Sequence, residues 1–201
     1  LLDLLLWCGG TAVLLGRAGF IWGQRTYFSE RPEEIWQLWQ GGFAYHGALL
    51  GGLLGLWLWH RRQSPRPAIL TDLAPTLAIL HLFGWSACLL EGCAYGQETT
   101  LGLLAADLSD DFGVTAVRYQ TQALGILFSL LIFAIAWWKP SFWLTLALLS
   151  LLHAGLTFLR GDPMLQLGTW RLDTLLSLAI ALIALFLLKY QRQRLWLAEN
   201  S

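Results

Sequence analysis

Glu91 stands at the end of an apolar stretch, in the run Trp85-Ser86-Ala87-Cys88-Leu89-Leu90-Glu91-Gly92-Cys93-Ala94-Tyr95-Gly96. A carboxylate in hydrocarbon is costly, so Glu91 should face protein, water or a lipid headgroup. Gly92 and Gly96 let backbone approach a bound molecule closely. A fraying helix end accounts for the glycines but not for the acid and the two thiols together. A second group is Tyr45 and His46, just after Gly41 and Gly42. An imidazole titrates near neutral pH and can take a proton, although a lone helical histidine is more often a packed, hydrogen-bonded group. A third set, Arg17, Arg118, Gln122, His153 and Arg160, offers donors suited to phosphate or ester oxygens. The plainer reading of Arg17 and Arg160 is an arginine snorkelling at a span end. His81, Trp85 and Cys88 share one helical face by spacing, and His81 reads as a core histidine.

These residues must be held by membrane helices. Of 201 residues, 56% are hydrophobic and only 13% charged, about half the charged share of soluble domains. Mean hydropathy is +0.55. The fold class is all-α, a polytopic membrane helix bundle forming one transmembrane domain over residues 1–201. Six segments approach the length a bilayer requires: residues 1–22, 43–60, 68–95, 119–138, 141–160 and 172–189. The third contains Pro75, which predicts a kink or a tilted start. Continuous apolar runs, rather than alternating ones, exclude a barrel.

Net charge is zero, so placement matters more than the total. Arg61, Arg62 and Arg66, then Lys139, then Lys189, Arg192 and Arg194 fall on one side if all six segments cross, and that side is expected to be cytoplasmic. The loops at residues 23–42, 97–118 and 161–171 then face outward. The first carries Trp36 and Trp39 among charges, as an interfacial segment does. Outward arginines suit anionic lipid, and the basic tail suits the anionic inner leaflet. Gly47, Gly51 and Gly55 form a stripe for close helix packing. Cys8, Cys88 and Cys93 are an odd, apolar set, which argues against a disulfide framework, and no metal-ligand spacing appears.

Several of these runs, in order, resemble the prolipoprotein diacylglyceryl transferases. Gly84, Cys88, Gly92, Cys93, Tyr95 and Gly96 fit the family's Gly-Arg-x-Gly-Cys-x-x-x-Gly-Cys-x-Tyr-Gly-like signature, with Trp85 where the family has Arg. Trp39, Gly41, Gly42, His46 and Gly47 match its Trp-x-Gly-Gly-x-x-x-His-Gly motif. The run Gly16-Arg17-Ala18-Gly19-Phe20 is similar to its Gly-x-Arg-x-Gly-Tyr region, and Asp72-Leu73-Ala74-Pro75 to its Asp-x-x-Ala-Pro run. Arg118, Thr121 and Gln122 fit Arg-His-Pro-[Ser/Thr]-Gln-x-Tyr-Glu, with Leu124-Gly125 in place of Tyr-Glu. Arg160 and Asp162 fit the last motif, where His153 replaces an Arg and Thr157 a Glu.

The resemblance implies about seven spans, one of them ahead of Leu1, in the bacterial inner membrane. It implies transfer of diacylglyceryl from phosphatidylglycerol to the cysteine of a lipoprotein signal peptide, with glycerol phosphate released. His46, Glu91 and Tyr45 are then the catalytic candidates. Arg17, Gly41, Gly42, Gly92, Gly96, Arg118, Gln122, His153 and Arg160 are the lipid-binding ones. The partners expected are phosphatidylglycerol, the signal peptide, membrane lipids and other membrane subunits, with no nucleic acid, metal or cofactor. Haem or pigment ligation through His46, His81 or His153 is the weaker alternative. A catalytically impaired relative, serving as a lipid-binding or structural subunit, also stays open, because Trp85 and His153 stand where the family has arginines.

Overall fold

A computed structural model describes residues 2–62, 69–100, 102–110 and 112–199. Arg66, expected to contribute to the cytoplasmic charge, lies outside the described residues. The chain forms two compact units, Leu1–Arg66 and Pro67–Ser201.

In the first unit, α1 (Leu2–Gly23) packs against α3 (Tyr45–Arg62). The glycine stripe explains how closely. A Cβ added at Gly47, Gly51 or Gly55 would collide with the carbonyl oxygens of Leu15, Thr11 and Trp7, respectively. Small residues of this kind let two helix backbones meet where hydrophobicity alone provides no drive, because lipid is equally apolar. The Thr11 hydroxyl donates across the contact to Gly51 O at 2.6 Å. Between the helices lie α2 (Arg25–Glu30) and two short 3-10 turns, Pro32–Trp36 and Leu38–Gln40. Trp36 and Trp39 are exposed there, at 79% and 80%.

The second unit holds α4 (Ile69–Glu91), α5 (Thr121–Trp138), α6 (Phe142–Thr157) and α7 (Leu172–Glu199). α4 packs on α5, α6 on α7, and both α4 and α5 on α6. The buried clusters are Ala78 with Ile132 and Leu149, and Trp85 with Ala94 and Leu156. α4 runs through Pro75, which falls early in the helix. Two antiparallel hairpins join the helices. β1 (Ala105–Ser109) pairs with β2 (Thr115–Tyr119), Ala105 facing Tyr119 and Ser109 facing Thr115. β3 (Gln166–Leu167) pairs with β4 (Trp170–Arg171).

The all-α membrane class holds, and the chain is a multi-pass membrane protein. Among the described residues, four helices are long and apolar enough to cross a bilayer: Leu2–Gly23, Ile69–Glu91, Thr121–Trp138 and Leu172–Arg194. α6 is a shorter apolar helix. α3 has 18 residues and closes on His60, Arg61 and Arg62. The boundaries shift in two places. The third segment stops being helical at Glu91 rather than near residue 95, because Gly92 adopts φ 77° and ends the helix. The last helix continues through Lys189–Arg194 to Glu199, so the basic tail is helical.

Candidate functional site

Arg17 organises the end of the first unit where α1 meets the segment leading into α3. It is buried on α1, and its donors reach backbone carbonyls of the following segment. Nε donates to Ile35 O (3.1 Å), Nη1 to Gly41 O (2.7 Å) and Gly42 O (3.2 Å), and Nη2 to Glu34 O (2.6 Å). Phe20 and Phe28 lie against the guanidinium, with centroids 5.9 and 5.2 Å away. Gly41 and Gly42 both take φ 77°, a region L side chains rarely adopt. They turn the chain into α3, whose first residues are Tyr45 and His46. Ala44 N donates to Gly16 O at 2.9 Å, which pins the turn to α1 a second time. His46 is buried, with its ring edge-on to Tyr45 at 5.0 Å. The structure thus joins Arg17, Gly41, Gly42, Tyr45 and His46 in one arrangement. Nearby, Arg31 sits 4.7 Å from the Tyr27 ring, and its hydrogen bond to Tyr27 raises its pKa.

In the second unit, the turn after α4 is closed by a Cys88–Cys93 disulfide, with Cα atoms 4.7 Å apart. This corrects the reading that the cysteine set argues against a disulfide; only Cys8 is free among the described residues. Apolar composition suggested separate buried cysteines, but the Gly92 turn folds Cys93 back onto the last turns of α4. Ala94 follows at φ 55°, uncommon for a residue with a side chain. Two residues at the start of α5 hold it. The Thr121 hydroxyl donates to Ala94 O, and Gln122 Nε2 donates to Cys93 O at 2.8 Å. Gly96 is buried where backbones cross, and a Cβ there would strike Tyr119 O. Gln97 N donates to Leu159 O and Gly161 N to Tyr95 O, both at 2.8 Å. Glu91 is exposed at the rim of this turn.

Three arginines of the second unit, Arg118, Arg160 and Arg171, sit in ion pairs. Arg118, on β2, lies 3.3 Å from Glu98 and 3.1 Å from Asp110, with its guanidinium 5.2 Å from the Tyr95 ring. Arg160 donates to Asp162 at 2.7 Å and lies 3.5 Å from Asp173. Arg171 meets the same two acids at 3.6 and 3.2 Å. Two guanidiniums and two carboxylates therefore cancel. Arg160, Asp162 and Arg171 line a cavity of about 540 Å³ with Gln97, Phe158 and Trp170. Sequence reading counted Arg171 among the outward arginines but not among the site candidates; the signal for this cluster was an Asp two residues later, the spacing Arg160 also has to Asp162.

The remaining group is aromatic. His81, Trp85 and His153 are all buried, with ring centroids 6.2 Å (His81–Trp85), 6.1 Å (His81–His153) and 5.8 Å (Trp85–His153) apart. Ser129 Oγ lies 2.7 Å from His81 Nδ1 and donates to Gly125 O at 2.6 Å. Trp85 rests on Gly125, where a Cβ would strike the indole.

A family model described as Prolipoprotein diacylglyceryl transferase matches residues 1–190. The chain belongs to this family. It is similar to the "Phosphatidylglycerol--prolipoprotein diacylglyceryl transferase" of Nitratidesulfovibrio vulgaris, 31% identical over 141 residues, 68% of this chain and 51% of that one. The protein of the same name from Caulobacter sp. is 35% identical over 106 residues, 49% of this chain and 35% of that one. That of Hydrogenovibrio crunogenus is 28% identical over 207 residues, 94% of this chain and 78% of that one. The chain thus spans about half the length of the first relative and about a third of the second. The turn at Gly92–Gly96 owes its shape to the disulfide and to Thr121 and Gln122 at the start of α5.

Proposed function

We propose that this chain acts on phosphatidylglycerol in the bacterial inner membrane, transferring its diacylglyceryl group to a lipoprotein signal-peptide cysteine. The observation that carries this is the glycine turn before α3, which presents His46 from a pinned, buried position in a member of this family. In the reaction, a base removes the thiol proton. The thiolate attacks the glyceryl carbon that bears the phosphate, a C–S bond forms, the C–O bond breaks, and glycerol phosphate leaves. A thiolate is the effective nucleophile, so a positioned base matters most. His46 is the base, Tyr45 flanks it, and Glu91 is the further acidic candidate. Gln122, Gly92 and Gly96 shape the turn that receives lipid, and the ion-paired Arg118 and Arg160 lie beside it as N–H donors.

One observation favours a second reading, a slow or silent relative that binds lipid within a larger membrane assembly. The buried group at Trp85 and His153 holds no guanidinium where the family resemblance leads one to expect two. Expression in cells depleted of their own transferase separates the two. Restored lipoprotein modification that is lost in His46→Gln supports transfer; no restoration by a well-expressed chain refutes it and leaves the binding role.

A further inference from the structure

We infer that Arg17 is a positioning residue: through the Gly41–Gly42 turn it sets His46, and it does not itself grip the lipid phosphate. The part about catalysis rests on the role of His46 proposed above; the part about geometry does not.

Arg17 makes four hydrogen bonds, all to backbone carbonyls. A guanidinium carries five N–H donors, so almost none remains for a ligand. To hold phosphate, it would have to release carbonyls that are themselves half-buried. The acceptors come in two pairs on either side of the segment, Glu34 and Ile35 before it, Gly41 and Gly42 after it. Only a flat, forked donor reaches both pairs at once; an ammonium is a single point. Phe20 and Phe28 cover the group and exclude water, which strengthens each of these bonds.

Gly42 is shaped around this contact. A Cβ there would approach Arg17 Nη1 to 2.8 Å and Phe20 Cε1 to 2.6 Å. Four residues later comes His46, in the first turn of α3, with Ala44 N bonded to Gly16 O on the way. Two adjacent residues of α1, Gly16 and Arg17, therefore anchor the chain on both sides of Phe43. The start of α3, and so the place of His46, follows from them.

The test uses the full chain in micelles, as wild type, Arg17→Lys and Gly42→Ala. Lysine keeps the charge without the fork; alanine crowds the fork without touching the charge, and keeps the test open if either variant folds poorly. His46 modification by diethyl pyrocarbonate is followed by peptide mass, beside thermal unfolding and transfer kinetics. In both folded variants, modification of His46 should quicken at least about tenfold as its surroundings loosen. Transfer kcat should fall about 10²-fold, the low end for a displaced general base, with KM for phosphatidylglycerol unchanged. Unchanged His46 reactivity in both variants overturns the inference. So does a rise in KM at constant kcat, which would make Arg17 a headgroup ligand. If wild type transfers nothing, the proposed reaction fails, while the His46 modification rates still decide the role of Arg17.

Discussion

Trp85 lies against Gly125: a Cβ on that glycine would strike indole Cδ2 and come within 2.6 Å of Cγ and Cε2. The two residues come from α4 and α5, and the fit brings the helices together beside Ala94 and Leu156. Gly125→Ala should therefore overpack the contact and cost about 1–3 kcal/mol. Trp85→Ala should cost about 3–5 kcal/mol by leaving a cavity. The double variant should be less destabilised than the sum, because the methyl then has room. Unfolding in micelles of the four proteins checks this; strict additivity would mean that the two side chains do not share the space.

Trp85 and His153 limit the chemistry. Each charge-assisted hydrogen bond to a phosphate leaving group contributes about 1.5–3 kcal/mol, so two absent guanidiniums correspond to about 10²–10⁴ in rate. Wild-type transfer is expected to be slow by that factor. Trp85→Arg alone should destabilise, since it buries an unpaired charge against Gly125. Trp85→Arg with Gly125→Glu, and His153→Arg with Thr157→Glu, should be tolerated better and should raise turnover. Transfer to a lipobox peptide measures it. Wild-type turnover in the ordinary enzyme range, about 1–10³ per second, would show that other groups stabilise the leaving phosphate.

α1 and α3 provide a test with an internal control. A Cβ at Gly51 would meet Thr11 O, whereas one at Gly52 would meet nothing within 4 Å. Gly51→Ala should cost about 1–3 kcal/mol by forcing the helices apart. Gly52→Ala should be neutral or gain up to about 1 kcal/mol from helix propensity. Equal midpoints for the two variants would contradict the close contact.

The Cys88–Cys93 bridge joins residues five apart. A loop that short gains about 2 kcal/mol from cross-linking in the chain-entropy model. Thermal midpoints should fall on adding dithiothreitol to wild type, and should not respond in Cys88→Ser with Cys93→Ser. Peptide mapping without reductant should recover the two cysteines as one linked species. Recovery of both as free thiols would contradict the bridge.

Neutrality of the Arg160, Asp162, Arg171 and Asp173 cluster predicts asymmetric losses. Arg171→Leu leaves an acid uncompensated beside the almost fully buried Asp173 and should cost about 3–5 kcal/mol. Removing Arg171 and Asp162 together should cost less than either alone, as unfolding in micelles would record. A double variant weaker than both single ones would show that the four charges do not act as a unit.

The membrane class and the approximate helix positions were legible in the sequence, because a span is set by composition over about 20 consecutive residues. The glycine stripe of α3 was legible for the same local reason: a period of four residues places Gly47, Gly51 and Gly55 on one face. The ordered motifs pointed to the family without any knowledge of contacts. What each polar group does was decided only by the tertiary structure. Arg17 is separated by 24 residues from Gly41, to whose carbonyl it donates, and Gln97 by 63 from Arg160, to whose carbonyl its side chain donates. Local spacing read Arg17 as a snorkelling or lipid-facing charge; the chain folding back over α1 gave it carbonyls instead. Composition argued against a disulfide, and a single glycine at positive φ brought Cys88 and Cys93 together. The physical reason is that a buried polar group must find a partner. Sequence lists the groups that need one, while only the packed helices determine which partner lies within reach.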